Sequence, residues 1–466
     1  MNNPSFADVS PWQRNGISGI DASSIPLRVT FLRKVVLWAT GAYIILNSGF
    51  MMVRIPPVGV GIPIGEVVLI GCLCVISLPV LLPKMGKEAW LFPILLWWGM
   101  SLSRCLIDTT VGGAWSFRDA SQAIESLYLI VGFWLANSVE NLSYFFRWLR
   151  KILLVAIAYG LLLPANHYLQ SFSPRLPGVA GVGAPLIFSV TNTAVILIWA
   201  ACWLLIDGKQ KDKLTKGRIL LACLLVTFSV AFAQQRTIYL AVLMTGAILF
   251  LTKRRLATKW ATILLFGVVA IGAISVSGIN VEGGRGHKIS LDFISQHFQS
   301  ITRSSGSGDV EGSAAGVSLR LGWWRRIYQQ MQGSHRVMIF GLGYGVSLTD
   351  FHGALGASAR EPHNSYISVL ARLGISGMLV WVAMQASLYL SWWRSFQLCR
   401  RMRWVRDQDN LLLLLIYSVQ VLAYAIGEDG FEKPFLAIPY YLFFGVVLRY
   451  GRYLRLTAAQ QGQSAI

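Results

Sequence analysis

Apolar runs of roughly helix-spanning length alternate with short polar gaps along most of the chain. A helix that crosses the hydrocarbon core needs about 20 predominantly apolar residues. The pattern predicts about twelve spans, near residues 35–53, 60–82, 89–107, 121–139, 149–168, 185–206, 218–234, 237–251, 260–279, 364–392, 411–427 and 434–450. One gap breaks the rhythm. Residues 280–363, between the ninth and tenth spans, form a polar segment far longer than the usual connection, and loops of that length are commonly functional. Its middle, Ser304 through Gly316, is expected to be flexible, Val317–Gln332 to form an amphipathic helix at head-group level, and Gly341–Gly345 to turn tightly.

The predicted organisation is therefore a cytoplasmic segment 1–34, spans one to nine over 35–279, a large loop 280–363, spans ten to twelve over 364–450 and a cytoplasmic tail 451–466. Residues 1–34 hold Pro4, Pro11 and Pro26 without an apolar stretch, so no removable signal peptide is expected. Composition agrees with a polytopic all-α membrane protein: 55% of residues are hydrophobic and 13% charged, and the mean hydropathy is +0.55.

Charge sets the orientation. Short cytoplasmic loops collect Lys and Arg. With the amino terminus inside, Lys84/Lys87, Arg147 to Lys151, Lys209 to Arg218, Lys253 to Lys259, Arg394 to Arg406 and Arg449 to Arg455 all face the cytoplasm. The net charge of +20 then reflects topology and contact with anionic membrane lipids rather than a nucleic-acid partner, because no basic stripe interleaved with aromatics stands on a soluble module. The six cysteines lie in or beside spans or on the cytoplasmic side, without a CxxC pattern or a disulfide framework.

Cation type carries a second signal. Of 15 cations on the outer side, 13 are Arg and 2 are Lys, whereas the inner 26 include 10 Lys. Either residue satisfies topology, but the guanidinium fork suits bidentate phosphate binding. Arg236 occupies a tight outer turn, Gln234-Gln235-Arg236-Thr237, and Arg175 a Pro/Gly loop, Ser173-Pro174-Arg175-Leu176-Pro177-Gly178; Arg54 and Arg104 read as interfacial snorkelling residues. All six histidines fall on the outer side, and no pair has metal-ligand spacing. Most read as solvated loop residues. His363 differs, locked between Pro362 and a helix start, where a neutral imidazole can take a proton or serve the helix start by hydrogen bonding. Gly341-Leu342-Gly343-Tyr344-Gly345 lacks the third glycine of a dinucleotide fingerprint, and Asp407-Gln408-Asp409 sits in a loop too short for a nucleotide-sugar domain.

The set Ser318-Leu319-Arg320 with Trp324, Gly341–Gly345, Pro362-His363-Asn364-Ser365-Tyr366 and Leu373-Gly374-Ile375-Ser376-Gly377, together with Arg175–Gly178, Asn192 and Gln235-Arg236-Thr237, resembles the O-antigen ligase and polymerase superfamily of bacterial envelope glycan assembly. The likeness in organisation covers spans four to twelve. It implies a GT-C-like, metal-independent glycosyltransferase of the bacterial inner membrane, with no cofactor and an active site facing the periplasm. The donor it implies is an undecaprenyl-diphosphate-linked glycan. It further implies that His363 is the essential loop histidine and that Arg175, Arg236 and Arg320 bind the diphosphate, with Arg325 or Arg326 as alternatives to Arg320. The acceptor would be lipid A-core for a ligase, or a second lipid-linked glycan for a polymerase of O-antigen, capsule or exopolysaccharide. A transporter or flippase is the rival outside enzymes. Those folds place their sites at midplane helix breaks between related halves, whereas the expanded segment here is an outer loop.

The topology has a direct check. Single cysteines introduced at Ser305 and Ser464 should label with an impermeant maleimide in intact cells at 305 and not at 464. The reverse pattern would invert the assignment.

Overall fold

The computed structural model describes residues 27–56, 61–76, 88, 90–162, 165–176, 184–187, 190–207, 215–278, 281–283, 287–299, 311–349 and 360–461. The first 26 residues, the basic run 208–214, the Ser304–Gly308 stretch, Pro177-Gly178, His352 and Ser464 lie outside them, as do the side chains of His167 and Asn192.

The described chain is mostly helical, in the order α1 (Leu27–Met51), α2 (Ile64–Val75), α3 (Leu91–Gly112), α4 (Ala114–Asp119), α5 (Ser121–Ser126), α6 (Tyr128–Leu135), α7 (Val139–Gly160), α8 (Asn166–Phe172), α9 (Val190–Ile206), α10 (Thr215–Ala233), α11 (Arg236–Thr252), α12 (Arg254–Val276), α13 (Leu291–Gln299), α14 (Glu311–Gln332), α15 (His335–Phe340), α16 (Ser365–Arg401), α17 (Val405–Tyr424) and α18 (Pro434–Gln460). The described sheet consists of two antiparallel pairs of two-residue strands, β1 (Arg54–Ile55) with β2 (Ile62–Pro63) and β3 (Arg175–Leu176) with β4 (Ala184–Pro185).

Helix is found within each of the twelve apolar segments, although 60–82 is described only to residue 76. Six helices among the described residues are long and apolar enough to cross a membrane: α1, α3, α10, α12, α16 and α18. Four more apolar stretches, in α2, α5–α6, α9 and α11, are shorter. The remaining two, α7 and α17, carry charges, Arg147, Arg150 and Lys151 in the middle of one and Arg406, Asp407 and Asp409 near the amino-terminal end of the other.

Helix α18 is the mast of the bundle, with 94% of its apolar window inside the protein. It lies against α6 closely enough that an added Cβ on Gly445 would stand 2.3 Å from the Leu129 carbonyl oxygen, and one on Gly132 2.0 Å from that of Leu442. Small residues let two backbones touch where no hydrophobic effect drives helices together in lipid. Around them Phe431, Tyr440, Tyr441 and Phe444 pack edge to face. The acids of the Asp407-Gln408-Asp409 motif serve the packing, Asp407 accepting from the Tyr450 hydroxyl and Asp409 pairing with Lys253.

The segment between α12 and α16 contains the expected helix, Val317–Gln332 lying within α14. It also holds α13 and α15, and α14 begins at Glu311, inside the stretch expected to be flexible. One side of α14 is covered by protein. Ile327 and Met331 pack with Leu348 and Ala371 in a small separate core. Burial in that core, unreadable from local composition, fixes the helix.

A kink in α16 receives the chain as it returns. Gly374 sits at φ +68, and the break leaves the carbonyls of Ala371 and Arg372 to accept the N–H groups of Leu342 (2.7 Å) and Gly343 (3.0 Å). The expected glycine turn is there: Gly341, Gly343 and Gly345 all have positive φ, a conformation that costs glycine least. Charges lock it. Arg372 pairs with Glu361 (2.7 Å) and Asp119 (3.1 Å) and donates to the carbonyls of Gly343 and Val346. Asp119 also pairs with Arg360 (2.9 Å) and accepts the Gly345 N–H (3.0 Å). Arg360 in turn lies 4.3 Å over the Trp115 ring.

Because Asp119 and Arg372 are almost wholly buried, with side chains 1% and 3% exposed, removing one partner leaves uncompensated charge. Arg372→Ala should therefore destabilise the protein by about 3–5 kcal/mol, read as a lower midpoint of thermal unfolding in detergent. An unchanged midpoint would show that the network is not needed.

Candidate functional site

His363 stands at the end of the returning segment, two residues before α16, in the left-handed region at φ +51. Such a backbone is uncommon for a non-glycine residue, although histidine is among the side chains enriched there. The helix start is capped by its neighbour: the Asn364 side chain accepts the Ile367 N–H (3.1 Å) and donates to the Ile426 carbonyl (2.8 Å). That removes the helix-capping role considered for the imidazole from sequence. Pro362 is held from above, its carbonyl accepting Trp324 Nε1 at 3.0 Å.

The imidazole faces the turn between α17 and α18. Nδ1 lies 3.2 Å from Asp429 Oδ1 and 3.4 Å from Glu428 Oε2, and Nε2 has no partner among the described residues. With Nδ1 engaged by carboxylates, Nε2 is the atom left for a ligand, and the side chain is about one-third exposed. Trp323 flanks it at 6.0 Å between ring centres.

Each acid in the turn has a cation. Lys433 Nζ is 2.7 Å from Asp429, and Arg320 binds Glu428 at 3.2 Å while donating to the Gly427 carbonyl at 2.6 Å. Arg320 is thus the loop arginine that reaches this turn, while Arg325 and Arg326 are exposed. Arg236 opens α11 and donates to the His297 carbonyl (3.1 Å), and the next residue, Thr237, lies against Gly427, where an added Cβ would meet its methyl at 2.7 Å. Two of the four expected residues, His363 and Arg320, therefore meet at residues 427–429, and the helix start that carries Arg236 adjoins Gly427. Arg175 is not joined to them by any described contact. It is exposed on β3, and the opposite strand packs near Gly49 at the end of α1.

The site corrects several expectations. His297, read as a solvated loop residue, is buried against Phe293 and Tyr239. Arg104, read as a snorkelling residue, pairs with Asp108 (2.8 Å), whose other oxygen contact is the Tyr344 N–H (2.7 Å). Sequence reasoning also missed Glu428, Asp429 and Lys433. Their signal was available: three acids in the five residues Glu428–Glu432, in a chain with only 21 Asp and Glu.

Electrostatics change the expected charge of His363. Hydrogen bonds donated to Asp429 and then Glu428 outweigh burial and push its pKa up to about 9, which favours the protonated ring at neutral pH. Burial would raise the Asp429 carboxyl, but Lys433 and the imidazole hold it well below the usual range. Burial likewise opposes Glu428, which the His363 hydrogen bond and then Lys433 and Arg320 lower. The ligand atoms of His363, Glu428 and Asp429 lie within 4.8 Å of one another, a spacing that fits a metal ion. Lys433 and Arg320 already supply the positive charge these two carboxylates require, which weakens the donor set for a cation.

Residues 220–382 match the family model described as O-antigen ligase. The matched stretch runs from within α10 to the first half of α16 and carries Arg236, Arg320 and His363. The match supports a relation to the O-antigen ligase and polymerase superfamily and a membrane enzyme of ligase or polymerase type, a glycosyl transfer with lipid-linked glycans as substrates. No curated protein matches the chain.

A raised histidine pKa stabilises the fold fully below about 6.5, its unfolded value, and that contribution is lost as pH rises through about 9. Asp429→Asn removes the first cause of the shift. The His363 pKa, followed by NMR of labelled imidazole, should fall toward 6.5. A value still near 9 would assign the shift to another group.

Proposed function

We propose that this protein transfers an undecaprenyl-diphosphate-linked glycan to an acceptor hydroxyl at the periplasmic face of the bacterial inner membrane, and that it acts as an O-antigen ligase with lipid A-core as acceptor. The observation that carries the reading is the grouping of His363, backed by Asp429 and Glu428, with Arg320 and the start of the Arg236 helix around one turn. A base, its orienting acids and fork-shaped phosphate binders are the parts such a transfer requires. Twelve crossings, a GT-C-like arrangement and residues 280–363 on the periplasmic side complete the proposal.

In this reading Arg236 and Arg320, with Arg175 brought in from a separate outer loop, hold the diphosphate and neutralise the charge that grows as the bond between sugar and phosphate breaks. His363 Nε2 takes the proton of the acceptor hydroxyl while that oxygen attacks the anomeric carbon from the face opposite the leaving group. Undecaprenyl diphosphate departs with the bonding pair, and the anomeric configuration inverts. Asp429 fixes the tautomer through Nδ1 and stabilises the imidazolium that forms, as the acid of a catalytic triad does. No metal or cofactor is called for. Since the ring is the base only when neutral, and Asp429 and Glu428 hold its pKa up to about 9, kcat/KM should climb with pH until it levels near 9.

The test uses a strain lacking the gene and complemented with variants, reading O-chain attached to lipid A-core. His363→Ala should cost about 10²- to 10⁴-fold in rate at normal protein level, and Arg236→Lys, which keeps the charge and loses the fork, should be strongly impaired. Wild-type transfer by His363→Ala would sink the base assignment. A deletion strain carrying single repeat units on the core would move the reading from ligase to polymerase.

A further inference from the structure

Two guanidinium groups without an anionic partner among the described residues meet at the end of the bundle opposite His363. Arg33 lies six residues into α1. Arg449 lies fifteen residues beyond Pro434 in α18, about 22 Å along that helix from the His363 turn at 1.5 Å per residue. Asn137, in the break between α6 and α7, joins them. Its side-chain oxygen accepts Arg33 Nη2 (3.0 Å) and Asn141 Nδ2 (2.8 Å), and its carbonyl accepts Arg449 Nη2 (3.3 Å) and the Tyr453 hydroxyl. Arg33 Nη1 donates to Asn141 Oδ1 (3.1 Å), and Arg449 Nη2 lies 3.2 Å from the Tyr453 hydroxyl. The two cations rest on aromatic faces, Arg33 over Trp134 at 5.1 Å and Arg449 over Phe133 at 5.1 Å and Tyr453 at 4.9 Å.

Every one of these acceptors is neutral. Arg360 and Arg372, the buried arginines at the opposite end, each have a carboxylate within 3.1 Å, whereas neither Arg33 nor Arg449 is paired with a carboxylate among the described residues. Glu140, in the first turn of α7, is exposed and pairs with neither. Arg33 is only 8% exposed, and the Nε atoms of both arginines are buried without a hydrogen-bond partner. A buried charge that meets only neutral acceptors is costly, and cation–π contact offsets part of that cost. Arg33 and the half-buried Arg449, sharing one asparagine, leave a net positive cluster whose Nε donors no described residue takes.

We propose that Arg33 and Arg449 form a binding pocket for one phosphate group, carried by an anionic lipid head group or free in solution. Guanidinium forks match phosphate oxygens, and basic pockets between spanning helices are recurrent head-group sites. The lipid is the favoured source. Phe31 and Trp38, before and after Arg33 along α1, are 69% and 71% exposed, an apolar surface beside the cluster that suits acyl chains. The bound anion would tie α1 to α18, the mast whose other end leads from the Asp429 turn.

Thermal unfolding of the delipidated full-length protein in neutral detergent tests the pocket. Dioleoyl phosphatidylglycerol should raise the midpoint by a few degrees where dioleoyl phosphatidylcholine does not, and Arg33→Gln/Arg449→Gln should abolish the response. The exposed pair Arg255→Gln/Arg400→Gln, equal in charge removed, should keep it. A rise with sodium phosphate equal to that with the lipid would assign the pocket to free phosphate. If the double variant does not fold, Arg449→Lys, which keeps the charge, should weaken lipid retention about tenfold in native mass spectrometry. Wild-type protein indifferent to both probes, or a double variant that responds like wild type, overturns the proposal.

Discussion

Placing irregular backbone between spanning helices requires that its polar groups find partners, because lipid supplies none. Asp119 meets that requirement here. From the end of α4 it takes Arg360, Arg372 and the Gly345 N–H, so a single buried carboxylate joins the helix pair α3–α4, the glycine turn and α16. Glu361 closes the ring through Arg372 and Ser368. The next residues are Pro362 and His363. The position of the imidazole is thus inherited from a charge network centred on residues more than two hundred positions away in sequence.

The same geometry explains why His363 carries an unusual backbone. Arg360 and Glu361 are committed to Asp119 and Arg372, and Asn364 is committed to the start of α16 and the Ile426 carbonyl. The chain between these anchors has little freedom. A positive φ at one residue costs on the order of 1–3 kcal/mol and persists where its surroundings over-determine it. The strain turns the ring toward Asp429 and Glu428, which come from a different connection, between α17 and α18.

Charge at the two ends of the bundle is handled differently. Near His363, acids and cations alternate closely, Lys433 with Asp429 and Arg320 with Glu428, so under the proposed function a ligand phosphate would compete with Glu428 for an arginine already held in place. Pre-ordered forks lose less freedom on binding than solvated ones. Near Arg33 and Arg449 the cations are held by an asparagine and by aromatic faces, and their charge is left uncompensated.

Apolar runs, and the places where glycine and proline interrupt them, determined the all-helical class and the approximate location of every long helix, because burial in lipid imposes a length and a composition that are local properties of the chain. The motif around His363 and the arginine bias of the outer segments were legible for the same reason: each is a short stretch or a simple count. Tertiary structure alone decided the rest. The sequence could not show that α14 buries Ile327 and Met331 against Leu348 and Ala371, that Arg320 rather than Arg325 or Arg326 reaches Glu428, or that two carboxylates raise the His363 pKa. A histidine's proton affinity depends on what stands within a few ångströms, and here that is Asp429, 66 positions along the chain and adjacent only because α16 and α17 fold back on one another.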